Sequence, residues 1–239
     1  MDKPTQIHIL LQQIAQESTP SQARFFKTAP GQYAEHDRFL GITVPQLRVI
    51  AKNYKTLTLQ EIQLLLLSPY NEERLLALFI LTDRYKKGST ELQNEIYSFY
   101  LANIGQINNW NLVDSSAHLI IGAHLYHKDK DLLMTLAQSP TMWHRRISII
   151  ATWYFIRQNN CEWTYTLSEI LLHDTHDLMH KAVGWMLREA GKRDEESLKN
   201  FLKKHASTMP RTMLRYALEK FPKEEQLIYL HLKKRISPS

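Results

Sequence analysis

Apolar residues recur along this chain at intervals of three and four, and sustained alternation is almost absent, so the pattern predicts helices and no strand. Leu75, Leu78, Phe79 and Thr82 fall on one helical face, as do Ile147, Ile150, Ala151 and Tyr154. Helix starts are marked by residue type. Thr43-Val44-Pro45-Gln46 and Thr58-Leu59-Gln60-Glu61 read as capping boxes, and Asn71 precedes an acidic first turn at Glu72-Glu73. Breaks fall at Pro30-Gly31, Pro69, Gly88, Pro140, Gly191 and Pro210. The sum is about a dozen helices of ordinary length.

The helices recur with a period. Arg74, Trp110, Arg146 and Lys181 each stand near the start of a helix with a strongly apolar following face, at spacings of 36, 36 and 35 residues, and Arg211 follows after 30. Units of this length made of two helices are the mark of a solenoid of the HEAT or armadillo kind. In such a solenoid the second helix of each pair lines one concave surface, and Trp110, Arg146 and Lys181 are expected side by side on it. No linker or low-complexity segment interrupts the chain, so residues 1–239 are expected to form one helical-repeat domain. Tails are expected over residues 1–4 and about 235–239.

Composition narrows the function classes. At 239 residues and 44% apolar content the chain can bury a sizeable core, and 7 Gly and 9 Pro are too few for a turn-rich β-sandwich or barrel. The one cysteine, Cys161, allows neither an intrachain disulfide nor a cysteine-based zinc site and fits a reducing cytoplasm. Met1-Asp2-Lys3-Pro4 is not read as a signal peptide, and runs such as Leu64–Leu67 and Leu75–Leu81 are far too short to span a bilayer, so no membrane partner is expected. The net charge of +6 is uneven: residues 1–139 hold 13 Lys+Arg against 13 Asp+Glu, and residues 140–239 hold 17 against 11. A basic second half is the footprint expected for a polyanion, although an ordinary solvated surface gives the same count.

Asp114 stands out as the one formally charged residue between Ile96 and His127. A carboxylate in such a setting finds a partner on another helix or carries a raised pKa. On a helix it shares a face with Trp110, four residues earlier. Its plain alternative is an N-cap, with Ser115-Ser116 following. Trp143-His144-Arg145-Arg146-Ile147 sets two arginines at a helix start, one expected toward a groove and one toward solvent, or both on an ordinary surface. Lys181, Trp185 and Arg188 share a face, suited to a nucleic-acid backbone if Trp185 is not core. Arg211 and Arg215 align at i,i+4 and extend a basic surface. His173, His176, Asp177 and His180 form a weak metal candidate without a glutamate in the HExxH arrangement; a polar helix end explains them equally well. No GxSxG, P-loop or Rossmann glycine pattern is present.

Together these pieces resemble the AlkD-like DNA alkylation repair family of helical-repeat glycosylases. The blocks that carry the resemblance are Ala23-Arg24-Phe25-Phe26-Lys27, Phe39-Leu40-Gly41-Ile42 with Pro45 and Arg48, Asn108 to Asp114, Trp143 to Ile147, Lys181 to Glu189 and Met209-Pro210-Arg211-Thr212. The resemblance implies an all-α, right-handed solenoid of HEAT-like repeats, C-shaped, cradling duplex DNA on its concave face. It implies excision of N3- and N7-alkylated purines, such as 3-methyladenine and 7-methylguanine, with neither metal nor organic cofactor and without drawing the base into a pocket. Asp114 matches the family's catalytic aspartate, Trp110 and Trp185 its groove tryptophans, and Arg146 its groove arginine. Phe25, Lys181, Arg188 and Arg211 are the further expected DNA contacts. Two departures stand out: some members have tyrosine where Phe25 aligns, and many have aspartate in place of Asn111.

Three functions fit this reading. One is a monomeric base-excision glycosylase whose partner is double-stranded DNA carrying alkylated bases. Another is a DNA-structure-binding protein on the same scaffold that excises nothing. The third is a HEAT-type adaptor for an acidic protein partner, with Trp110 and Trp185 as interface anchors.

Overall fold

The expected class holds. The structure, a computed structural model, describes residues 2–16 and 26–232; those residues are predominantly α-helical and contain no strand. The architecture is consistent with an α-solenoid. None of the described helices is long and apolar enough to cross a membrane. The chain divides into two compact units, residues 1–120 and 121–239.

The first unit holds α1 (Lys3–Gln16), α2 (Val44–Asn53), α3 (Leu59–Leu66), α4 (Asn71–Lys87), α5 (Thr90–Ala102) and α6 (Trp110–Ala117). α1 starts inside the stretch expected to be a tail, and its Pro4, Ile7 and Leu11 are buried. Both capping boxes form: the side chains of Thr43 and Thr58 accept from the backbone N–H of Gln46 and Glu61, whose own side chains return the bond. α4 is the axis of this unit, packed against α2, α3, α5 and α6. Every residue from Asn71 to Thr82 is buried. The one-sided face read from Leu75, Leu78, Phe79 and Thr82 is therefore part of a helix enclosed on all sides, and helices of that kind belong to the core.

The second unit holds α7 (Ala123–Leu125), α8 (Asp131–Ala137), α9 (Met142–Arg157), α10 (Glu162–Ile170), α11 (Asp177–Gly191), α12 (Glu195–His205), α13 (Arg211–Leu218) and α14 (Lys223–Leu230). α11 packs on α9, α10, α12 and α13 through a stripe of Met179, Ala182, Val183, Met186, Leu187 and Ala190. Two glycines let backbones approach closely. A Cβ on Gly122 would lie 2.2 Å from the carbonyl oxygen of Ala151 and 2.9 Å from Cβ of Tyr154; one on Gly184 would lie 2.5 Å from the carbonyl oxygen of Met213 and 2.6 Å from Cβ of Tyr216. Gly122, Ala151 and Tyr154 precede Gly184, Met213 and Tyr216 by the same chain displacement, so one packing contact occurs twice, as repeat architecture requires.

In an exposed helix a glycine-to-alanine change gains about 1 kcal/mol from propensity. At Gly184 the new methyl meets backbone, which does not swing aside, so overpacking outweighs that gain. Gly184→Ala is expected to destabilise the protein by about 1–3 kcal/mol. Urea unfolding measures it, and a midpoint equal to wild type would contradict the close approach.

Candidate functional site

α6 carries the Trp110-to-Asp114 block. Asn109 is its N-cap, and Asn109 Oδ1 accepts from the backbone N–H of Trp110 at 2.7 Å. Asp114 is the fifth residue of the helix and half-buried, so the alternative reading of Asp114 as an N-cap is overturned. Trp110, one turn earlier, is half-buried too. Its indole stacks on Phe26, with ring centroids 5.2 Å apart and planes at 20°, and Phe26 stacks in turn on Phe39 at 4.4 Å. Aromatic pairs in such offset arrangements hold one another's orientation beyond simple area burial. Phe25, the expected DNA contact, lies outside the described residues; its neighbour Phe26 supplies the ring beside Trp110.

Glu72 holds the Phe39 turn. Its Oε1 accepts from the backbone N–H of Leu40 at 3.0 Å and of Gly41 at 2.8 Å. Gly41 has φ +83°, a left-handed conformation that glycine adopts without strain. Burial pushes the Glu72 carboxyl above its usual range, against the two backbone donors.

A network of buried polar side chains lies beneath α6. Asp37 Oδ2 accepts from Asn109 Nδ2 at 2.7 Å and from Asn71 Nδ2 at 3.0 Å, while Asp37 Oδ1 accepts from the Arg74 guanidinium at 2.5 Å. The side chains of Asp37 and Arg74 are both only 6% exposed. Asn111 Nδ2 donates to Asn71 Oδ1 at 2.6 Å. Asn111 thus faces this interior network, so the departure at that position lies in the buried support.

In the second unit the two arginines of α9 do not divide between groove and solvent. Arg145 Nε donates to Asp174 Oδ2 at 2.7 Å, and Arg146, only 4% exposed, donates through Nη1 to the carbonyl of Leu178 in the first turn of α11. Both reach the start of α11, Arg145 at the buried Asp174 carboxylate before it and Arg146 at a first-turn carbonyl. Arg146 is thus an interior anchor rather than an exposed fork.

Lys181, Trp185 and Arg188 share one partly exposed face of α11, as expected, and Trp185 is not core. The cations have acidic partners: Lys181 pairs with Asp177 at 2.8 Å, and Arg188 with Glu189 at 3.2 Å and with Glu219. Trp185 meets Trp153 of α9 edge to face at 5.0 Å. Arg211 donates to the carbonyl of Leu230, linking α13 to α14, and Arg215 is exposed.

The histidine group is not a metal cluster. His176 Nδ1 accepts from the Leu178 N–H at 3.2 Å and so caps α11, and His180 Nε2 donates to the carbonyl of Asp174. Burial holds His176 below its usual pKa, consistent with a neutral ring that accepts. Among the described residues no group of three or more His, Cys, Asp or Glu is placed to hold a metal ion.

Sequence reading missed Asp37, Phe26, Glu72 and Trp153 as parts of these sites. An asparagine before a helical tryptophan is a cap signal and was available for Asn109. Nothing local marks Asp37, whose partners lie 34, 37 and 72 residues away.

The family model described as DNA alkylation repair enzyme matches residues 8–221, a span that contains the Trp110-to-Asp114 helix, the Asp37 network and the face of α11. The chain belongs to the DNA alkylation repair enzyme family. A solved structure entitled "Predicted DNA alkylation repair enzyme from Enterococcus faecalis" is similar in fold, with a TM-score of 0.62 and 17% identity over 86% of this chain and 100% of that one. No curated protein matches. At that identity the structural likeness concerns the fold, whereas the family match spans the candidate site.

Glu72 gives a prediction. Its pKa is raised in the folded state, so its ionisation opposes folding: the contribution is most favourable below 4.5 and is lost as pH rises through the folded value. Glu72→Gln keeps one acceptor oxygen for Leu40 and Gly41 and removes the charge. Relative to wild type it is expected to gain stability between pH 5 and pH 7. Denaturant midpoints at the two pH values check this, and equal wild-type and variant slopes would refute it.

Proposed function

We propose that this member of the DNA alkylation repair enzyme family is a DNA glycosylase that excises N3- and N7-alkylated purines from duplex DNA, working as a monomer in the cytoplasm. The observation that carries the reading is Asp114: a half-buried carboxylate in the middle of a helix, one turn beyond a stacked tryptophan, within the block that resembles the family's catalytic segment.

The chemistry asks little more of the protein. Alkylation at N3 or N7 makes the purine cationic, so it departs with the electron pair of the N-glycosidic bond and needs no general acid. The sugar left behind has oxocarbenium character. The carboxylate of Asp114 stabilises that positive charge and orients a water, whose oxygen bonds to the anomeric carbon and whose proton passes to solvent. Trp110 offers an electron-rich face to a cationic nucleotide. Trp185, Lys181, Arg188 and Arg211 are the proposed contacts to DNA, with Phe25 a further one. The burial of Arg146 favours a supporting part, through the first turn of α11.

A second reading draws on the acidic partners of Lys181 and Arg188, which leave that face less cationic than its sequence suggests. In it the scaffold is an adaptor for a protein partner. Phosphate contacts make affinity fall steeply with salt, since each displaces condensed counterions. Duplex affinity measured from low to moderate salt is expected to fall by at least about 10-fold under the glycosylase reading; a salt-independent result would favour the adaptor.

The decisive experiment is release of 7-methylguanine and 3-methyladenine from methylated DNA, followed by chromatography. Asp114→Asn is expected to reduce release by a factor of about 100 or more, the scale seen when an electrostatic stabiliser of a transition state is lost, with circular dichroism unchanged. A fully active variant would sink the assignment, and a wild type that binds duplex without releasing base would point to a DNA-structure-binding protein.

A further inference from the structure

We propose that Asp37 is the positioning residue of the candidate site, fixing the first turn of α6 and through it Trp110 and Asp114. The inference rests on the reading of Asp114 given above.

A carboxylate is an acceptor only, and Asp37 uses both oxygens: Oδ1 for Arg74, Oδ2 for the amides of Asn71 and Asn109. That fixes which way the Asn109 amide faces. Its nitrogen must turn to Asp37, which leaves its oxygen to accept from the Trp110 N–H. Asn71 is oriented in the same way, and its oxygen then accepts from Asn111, the second residue of α6. The first two residues of α6 are therefore tied to one carboxylate, Trp110 through Asn109 and Asn111 through Asn71. Asp114 follows one helical turn later, and a helix whose first turn is fixed carries its next turn in a fixed direction. Asp37 is anchored in return: the backbone of the next residue, Arg38, donates to Pro69 at 3.0 Å and accepts from Asn71 at 2.8 Å.

Replacing the carboxylate by an amide breaks this arrangement. The Asp37→Asn change turns an N–H₂ either toward Arg74 or toward the amides of Asn71 and Asn109, setting donor against donor and leaving the buried Arg74 without its counter-ion.

The test has a chemical and a physical arm. In single-turnover release of 7-methylguanine, Asp37→Asn is expected to be about 10- to 100-fold slower, the scale of a small misplacement of a catalytic group. Affinity for duplex DNA should stay within about 3-fold, since the Asp37 side chain is buried among protein groups. Hydrogen exchange at the backbone amides of Trp110 to Val113 should accelerate. Asn109→Ser supplies a second variant. Serine caps a helix as well as asparagine does but has no amide to give Asp37, so a mere capping role predicts wild-type release and exchange, whereas positioning predicts slower release and faster exchange. In the double variant Asp37→Asn with Asn109→Asp, the carboxylate moves to the cap of α6. There it accepts from the amide introduced by the first substitution and still caps the helix, the amides of Asn71 and Asn111 can reverse, and release and exchange should recover toward wild type. Wild-type behaviour of Asn109→Ser, or a double variant no better than Asp37→Asn, would overturn the inference. If wild type releases no base, the glycosylase reading fails instead, and the exchange arm still decides whether Asp37 holds α6.

Discussion

A carboxylate removed from water must be met by donors on every side, and the first unit is organised around that demand at Asp37. The guanidinium of Arg74 supplies the counter-charge and two asparagine amides supply the remaining bonds. Breaking such a pair by removing one partner costs about 3–5 kcal/mol, because the other charge stays buried. The starts of α4 and α6 are thereby tied together: Arg74 and Asn71 belong to α4, and Asn109 precedes α6. A helix start leaves backbone N–H groups unsatisfied; at α6 the Asn109 side chain meets one of them and answers to the same acidic residue.

The second unit uses a similar device. Arg145 is the fourth residue of α9, as Arg74 is of α4, and it too pairs with a buried aspartate from outside its helix, Asp174, whose side chain is 3% exposed. Asp174 then orders the entry to α11: its Oδ1 accepts from the His176 N–H, and His176 in turn caps the helix. Each unit thus ties the start of a helix to an Arg–Asp pair whose carboxylate is buried. Burial of such a pair is weak grounds for stability but strong grounds for geometry, since its directional bonds admit one arrangement.

The helices and their starts were legible in the sequence because caps and periodicity are local. The two threonine boxes formed as read. A helical repeat was legible in kind, but the residues read as equivalent do not stand equally far from their helix starts. Arg146 and Lys181 are the fifth residues of α9 and α11, and the fifth residue of α6 is Asp114, not Trp110; the fifth of α13 is Arg215, not Arg211. Apolar spacing near 3.6 does not distinguish one turn from the next, so the period tolerates a slip of one turn. Asp37 was illegible for a different reason. Its importance lies wholly in partners remote in sequence, and no local pattern separates it from a solvated aspartate in a loop.

Counted from the helix start, the fifth residue is an acid in α6 and a base in α9, α11 and α13. The helix that carries this acid begins among neutral amides, and an aromatic stack stands one turn before it. An indole backed by Phe26 and Phe39 has one face covered. The stack holds the half-buried indole still. Under the proposed function, a cationic nucleotide is met at this fixed ring, one helical turn from the carboxylate. Under that proposal, the stack and the buried network serve a single distance, the one between the indole and the carboxylate of Asp114.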